Sequence, residues 1–338
     1  MTMNWVDLRS DTITRPTAAM RAAGLAAAVG DDVFGEDPTV NALQQRLAGE
    51  LGFAAGLFVS SGTQSNLLAL MAHCERGDEY LVGSDAHTYK YEGGGAAVLG
   101  SIQPQAIPQA ADGTLPLNLV AKAIKPLGDP HFARSKLLAL ENTWGGRVLP
   151  PAYVRDAAAL ARRHGLGVHL DGARLFNAAI AQGVAARELT APFDSVSVCF
   201  CKGLGSPIGS MLLGSQELID RARRWRKVLG GGWRQAGVLA AMADHALDHH
   251  VARLAEDHRR AGELAQALRE LPALQVEGPH TNMVFLTLPA GDPAAFEAHM
   301  QARGIRLAGR GGTMRLVLHL DIDDAGLART IAAFREFF

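Results

Sequence analysis

At 338 residues, 48% hydrophobic and 20% charged, the chain has the composition of a compact globular protein, long enough for one large domain and a smaller one. A formal charge of −1 gives no electrostatic case for nucleic acid or an anionic membrane, and no apolar run approaches the ~18 residues of a membrane span. Three cysteines (Cys74, Cys199 and Cys201) make no disulfide framework, and the first residues lack the basic-then-apolar pattern of a secretion leader, so a cytoplasmic protein with packing cysteines is expected.

Residues 7–16, DLRSDTITRP, read as an extended arm in which Arg9, Ser10 and Asp11 suit a strand lining a site. After a Gly/Asp-rich loop, Asp37 caps a helix with Pro38 at its first position; Val40, Leu43, Leu47 and Leu51 share one face and Gly52 ends it. Residues 57–60 form a short strand that breaks at SSGTQSN into a helix over 63–74. Strand, glycine, hydroxyl residue and helix start make an anion cup. Gly62 permits the tight turn, while the first-turn N–H groups and the Thr63 hydroxyl face a phosphate. The same pattern also serves ordinary helix capping.

Residues 79–83 form the next strand, and His87 lies just past its end, where parallel-sheet enzymes place ligands. Residues 100–116 read as a Gly/Pro-rich connection before a helix. A strand over 136–141 then ends on Glu141-Asn142-Thr143, and an Ala-rich helix covers 153–164. In GLGVHLDGARLF, residues 167–170 are a strand with Asp171 at its carboxyl end, placed either to cap the next helix or to pair with a buried cation. Residues 195–201 alternate Ser/Cys with Val/Phe, the period of a strand, and Lys202 follows before Gly-Leu-Gly and a second apolar run over 208–213. A lysine between buried strands either snorkels to water or is used chemically. The 31 residues from Asp171 to Lys202 make one β-α-β unit, so both end on neighbouring parallel strands facing one crevice. A helical region over 235–270 is expected to bend near residues 248–250. The adjacent His249 and His250 point to different faces, and no metal site is expected. From 271 the pattern becomes a small α/β unit: strands over 281–288 and 313–320, a helix over 292–303, and a closing helix over 323–338 with Leu327, Ile331, Phe334 and Phe338 facing inward. The expected domains are 1–248 and 249–338.

In this order along one parallel sheet, Gly62-Thr63, His87, Asp171 and Lys202 match the needs of pyridoxal 5′-phosphate: a phosphate cup, a flat partner over the ring, an anion at the pyridine nitrogen and an imine-forming lysine. No G-x-G-x-x-G follows the early strands, which argues against a dinucleotide dehydrogenase.

The motifs DLRSDTITRPT, VGDDVFGEDPTVNALQ, SGTQSNLLALMAHCERG, LENTWGGRVLP, HLDGARLFNA, KGLGSPIGS and WRKVLGGGWRQAGVLAA resemble those of low-specificity L-threonine aldolases, from Val6 to about Asp321. The resemblance implies a fold-type I (aspartate aminotransferase-like) α/β large domain with a mainly parallel sheet and a small C-terminal α/β domain. It implies cleavage of L-threonine or L-allo-threonine to glycine and acetaldehyde, in a homotetramer built from dimers with active sites between subunits. Carried over, Lys202 would hold pyridoxal phosphate, Asp171 its ring nitrogen, and His87 would stack on the ring. Gly62 and Thr63 would bind the phosphate with Arg234 and Lys227 of a neighbouring subunit. Ser10, Arg174 and Arg315 would clamp the substrate carboxylate, Arg174 also lying near the ring oxygen. His131 would influence β-substituent preference or the water that takes the hydroxyl proton. Phe34 in place of tyrosine, Cys201 in place of serine and Trp144-Gly145 in place of His-Asn depart from the family pattern and bear on substrate preference. The alternatives are another enzyme of the same cofactor class (serine hydroxymethyltransferase-like, racemase or aminotransferase) or a non-catalytic cofactor-binding protein.

Overall fold

The computed structural model describes residues 5–289, 293–310 and 312–338. Its largest sheet has seven strands: β1 (Ala55–Val59), β2 (Asp78–Gly83), β3 (Gln103–Ile107), β4 (Arg134–Glu141), β5 (Gly167–Gly172), β6 (Ser195–Cys199) and β7 (Ser210–Gly214), in the order β1-β7-β6-β5-β4-β2-β3. β2 to β6 pair in parallel, and β7 runs antiparallel to both its neighbours. The two-residue period decides what each face carries. Leu170, Val196 and Val198 join the main apolar core, whereas His169, Asp171, Ser195 and Ser197 line up toward the helix Gly62–His73. That helix is buried from Ser65 to Ala72, so it carries both apolar packing and polar partners for this file. Each fully buried leucine in such a layer contributes about 1.5–3 kcal/mol.

Several expectations need adjustment. The strand expected over 195–201 stops at Cys199, and Lys202 lies in the turn that leads to β7. The stretch 100–116 contains β3, a mixed polar strand with Pro104 that pairs only with β2 at the sheet's edge, where proline is tolerated. The helix over 235–270 is two helices, Gly237–His249 and Leu254–Arg269, separated at residues 250–253. A helix at Ala18–Leu25, capped by the Thr17 side chain, follows the arm. The cap at Asp37 is present, its carboxylate accepting from Val40 N, Gly30 N and Gly237 N.

A second core gathers Leu264, Leu268, Val284, Leu286, Phe296, Leu316 and Phe334 around a four-stranded sheet. The closing helix Asp324–Phe337 buries Leu327 and Phe334, with Ile331 and Phe338 partly buried. The helix expected over 292–303 is described as Pro293–Ala302; residue 292 lies outside the described residues. Val6 and Leu8 also belong to this core, and Val6–Asp7 pairs in parallel with Ile305–Arg306. The amino-terminal arm is therefore bound to the carboxyl-terminal unit before it reaches the large sheet. Among the described residues no helix is long and apolar enough to cross a membrane.

Candidate active site

The carboxyl ends of β4 and β5 stand side by side, with Glu141 paired to Asp171 in register. His87 opens a short helix just beyond β2, and its backbone N–H donates to Glu141 Oε2 at 2.7 Å. Its ring Nδ1 is 2.8 Å from Glu92 Oε1. A carboxylate accepts, so Nδ1 carries the proton and Nε2 is left free. The hydrogen bond to Glu92 raises the pKa of His87 above its ordinary value, further assisted by the Asp171 charge. Asn66, one turn into the helix Gly62–His73, donates through Nδ2 to both Glu92 Oε1 and Asp171 Oδ2, each at 2.8 Å. Asp171 Oδ1 accepts from Ala173 N. His87, Glu92 and Asp171 thus bring ligand atoms within 4.8 Å of one another. Burial, then the Asp171 charge, pushes the Glu141 pKa up to about 7.

Lys202 lies just beyond the end of β6, the neighbour of β5. Its charge acts on Asp11, His87, Glu141 and Cys199. Among the described residues it has no salt-bridge partner within 4 Å. A partly buried lysine without a counter-ion is costly as structure and suited to chemistry. At the start of the helix Gly62–His73, Ser61 Oγ accepts from Gln64 N. The N–H groups of Gly62 and Thr63 have no intrahelical acceptor and point out of the helix end. Gly62 is required by packing: a Cβ there would sit 2.8 Å from Cys199 Sγ.

A cavity of about 550 Å³ opens beside His87 and Glu141, lined also by Trp144, Arg147, Arg174 and Arg315, with Phe285 on its wall. Arg147 stacks 5.2 Å from the Trp144 ring and 5.3 Å from Phe285, and pairs with Glu277. Arg174 is held by Asp11 through Nε at 2.8 Å and Nη2 at 2.6 Å. Burial opposes the Asp11 charge, but Arg174, with Lys202 and His319, outweighs it and holds the carboxyl at about 2. Arg315 has no salt-bridge partner among the described residues, and burial together with the Arg174 charge lowers its pKa. Two guanidiniums that disfavour each other make a receptor for an anion such as a carboxylate. A larger cavity, about 640 Å³, lies at the amino ends of β2 and β4 beside His73, Asp78 and Lys136. It lies away from Glu141 and Asp171 at the carboxyl ends of β4 and β5, so position rather than volume selects the site.

The structure therefore brings together His87, Asp171, Arg174, Lys202 and Arg315, with Gly62 and Thr63 at the nearby helix start. It does not bring four expected residues to the cavity. Ser10 turns its hydroxyl to Thr12, capping the 3-10 turn Asp11–Ile13. Arg234 pairs with Asp31, and Lys227 lies exposed over Gly232. His131 sits on the loop before β4, at the end of that strand away from Glu141, with its side chain 85% exposed and bonded to Asp129. Three site residues went unassigned in the sequence: Asn66, Glu92 and the role of Glu141. Asn66 and Glu141 stand out as polar residues in stretches otherwise buried, whereas Glu92 lies in a largely exposed loop with no local signal.

A family model described as beta-eliminating lyase matches residues 7–290. The chain is 53% identical to a low specificity L-threonine aldolase of Escherichia coli strain K12 over 98% of its own length and 99% of that protein. It is 42% identical to low-specificity L-threonine aldolase 1 of Arabidopsis thaliana, over 99% of this chain and 97% of that one. A solved Leishmania major threonine aldolase superposes with a TM-score of 0.84 at 21% identity, covering 98% of this chain and 99% of that one. A Sphingomonas wittichii serine palmitoyltransferase gives 0.74 at 19% identity, covering 98% and 86%. At these identities the two structures speak to the fold alone.

Proposed function

Because the chain belongs to the beta-eliminating lyase family and, within it, to the low-specificity L-threonine aldolases, we propose that it cleaves L-threonine and L-allo-threonine, with other L-3-hydroxy-α-amino acids, to glycine and an aldehyde. The protein is a fold-type I lyase, and its cofactor is pyridoxal 5′-phosphate. The residues present suit that group: among the described residues Lys202 has no counter-ion to displace, Asp171 keeps lone pairs beyond those bonded to Asn66 and Ala173, and the helix start at Gly62-Thr63 offers N–H groups without an intrahelical acceptor. In this reading Lys202 holds the cofactor covalently, Asp171 faces its ring nitrogen, His87 lies against the ring, and Gly62 and Thr63 take the phosphate.

The bound cofactor supplies an electron sink for the pair left on Cα when the Cα–Cβ bond breaks. The chain's own residues choose the bond. Arg174 and Arg315 hold the substrate carboxylate, which fixes the rotation about Cα and sets the Cα–Cβ bond for cleavage. His87 is oriented by Glu92 with Nε2 unprotonated when neutral, and accepts the β-hydroxyl proton directly or through water. Trp144, Arg147 and Phe285 wall the space for the departing aldehyde.

Arg234, Lys227 and His131 belong to this reading only through a second copy of the chain, since none reaches the cavity of its own chain. The assembly is a homotetramer, a dimer of dimers with shared sites, working in the cytoplasm on threonine breakdown and glycine supply. The observation that carries the activity is the convergence of Lys202, Asp171 and His87 at the carboxyl ends of the parallel strands in a chain 53% identical to a low specificity L-threonine aldolase. The test is aldehyde release from L-threonine and L-allo-threonine by the cofactor-loaded protein beside Lys202→Ala. Equal amounts of glycine and acetaldehyde are expected, lost in the variant. Cofactor bound covalently but no aldehyde from either substrate sinks the activity and leaves transamination or racemisation.

A further inference from the structure

Behind Asp171 a file of buried polar side chains crosses the layer between the sheet and the helix Gly62–His73. Asn66 Oδ1 is 3.2 Å from His169 Nε2, His169 Nδ1 is 2.8 Å from Ser195 Oγ, and Ser195 Oγ is 2.7 Å from His73 Nε2. Two periodicities lay this file down. His169 and Asp171 share a face of β5 at i and i+2, Ser195 stands opposite His169 on β6, and Asn66 and His73 share a helix face at i and i+7. Asn66, His169 and Ser195 are at most 1% exposed, so water cannot substitute for a lost partner.

The direction of every hydrogen bond is fixed by elimination. Asn66 meets two carboxylates, Glu92 and Asp171, and only its NH₂ can satisfy both, so Oδ1 faces His169. A carbonyl oxygen only accepts, so His169 carries its proton on Nε2. Burial, with the neighbouring His73, pushes the His169 pKa down to about 3, so the ring is neutral and Nδ1 accepts from the Ser195 hydroxyl. Ser195 has then spent its only proton and accepts from His73 Nε2–H. Burial holds His73 at about 4, so it too is neutral and has one proton to give. Every bond donates toward Asp171.

We propose that His169, with Ser195 and His73 behind it, is a positioning residue that locks the Asn66 amide and so keeps Asp171 an ionised acceptor for the cofactor's ring nitrogen. The proposal rests on the reading of Asp171 as the partner of that nitrogen. Without the His169 proton, Oδ1 of Asn66 is a buried acceptor with no partner, and the amide is no longer held at the angle that aims its NH₂ at Asp171. Asp171 then loses a hydrogen bond that favours its charged form, so its carboxylate competes with the ring nitrogen for the proton between them. Aligned hydrogen bonds also polarise one another, which strengthens the lock beyond its last member.

The test uses the holoenzyme loaded with pyridoxal 5′-phosphate carrying an isotopically labelled ring nitrogen, whose NMR shift reports protonation independently of turnover. His169→Leu removes the donor, and His169→Gln restores an N–H at similar reach. Expected for His169→Leu are a shift toward unprotonated nitrogen and a kcat lower by about 10–100-fold. KM for L-threonine should stay within about threefold, because the arginines are untouched. His169→Gln should recover most of both. A His169→Leu protein that binds the cofactor and keeps the wild-type shift and kcat overturns the proposal. If His169→Leu does not fold, Ser195→Ala decides: without the hydroxyl that donates to Nδ1, the His169 ring is less firmly held and its Nε2–H bond to Asn66 loses polarisation, so a smaller shift in the same direction is expected, and no shift overturns the proposal. Asp171→Asn separates the two readings. If it leaves the ring nitrogen unchanged, the assignment of Asp171 fails; if it changes the signal and neither His169→Leu nor Ser195→Ala does, only the hydrogen-bond file fails.

Discussion

Asp11 carries its charge at full burial because Arg174 grips it with two hydrogen bonds. Its carboxyl sits at about 2 in the folded chain against an ordinary 3.8. A folded-state value below the unfolded one means that the stabilisation is complete above the ordinary value and disappears as pH falls through about 2. Asp11→Asn keeps the shape and removes the charge, stranding Arg174 in the protein. At neutral pH it should lower unfolding stability by about 3 kcal/mol. Toward the acid end the gap should close, because a protonated aspartate and an asparagine are near equivalents there. Urea unfolding of both proteins across acid to neutral pH checks this, and a constant gap would show that the loss comes from packing. From sequence, Asp11 was legible only as one polar residue in a crowded arm. Its partner lies 163 positions away, and only the tertiary fold shows that Arg174 is engaged by the protein itself.

At the scale of elements, the strand-to-helix turn at Gly62 and the end of β6 are one mechanical unit. Cys199 packs against the turn, and Ser65 bonds to Ser197 across it at 2.7 Å. Gly62→Ala should force these elements apart at a cost of about 1–3 kcal/mol. It should also weaken cofactor binding about tenfold by displacing the N–H groups at the helix start. Adding Cys199→Ala vacates the space the new methyl needs, so the double variant should recover most of the affinity. Cofactor titration followed by absorbance measures both effects, and a double variant no better than Gly62→Ala would place the fault in the turn itself. The strands bearing Asp171 and preceding Lys202 were legible because each alternates cleanly, and the cap at Asp37 because Asp-Pro is a local signal. β3 was hidden because QPQAI lacks the apolar pattern, an edge strand needing only one partner. Asn66 and Glu92 were hidden for a different reason. Their value lies in meeting one another across 26 residues, and no local pattern records that.

For the whole molecule, the question is which groups one chain leaves unfinished. Phe34 is 73% exposed and Val98 74%, large apolar side chains from segments that also bear on the site. Phe34 follows Asp31, the partner of Arg234, and Val98 ends a short helix whose Gly95 lies against Leu67 of the helix Gly62–His73. Contact with a second copy would cover such residues and bring Arg234 to a neighbour's phosphate cup, as the proposed assembly requires. Complementation tests that geometry. Lys202→Ala lacks the lysine but keeps Arg234; Arg234→Ala has the reverse defect. If each site takes Lys202 from one chain and Arg234 from another, a mixed dimer holds one intact site and one doubly defective site. Random reassociation makes half the dimers mixed, so about one quarter of all sites should regain wild-type activity. Mixing the two proteins through mild denaturation and measuring aldehyde release should then exceed the sum of the separately treated variants. If activity stays at that sum while sedimentation shows mixed oligomers, Arg234 acts within its own chain or away from the site, and the shared-site assembly falls.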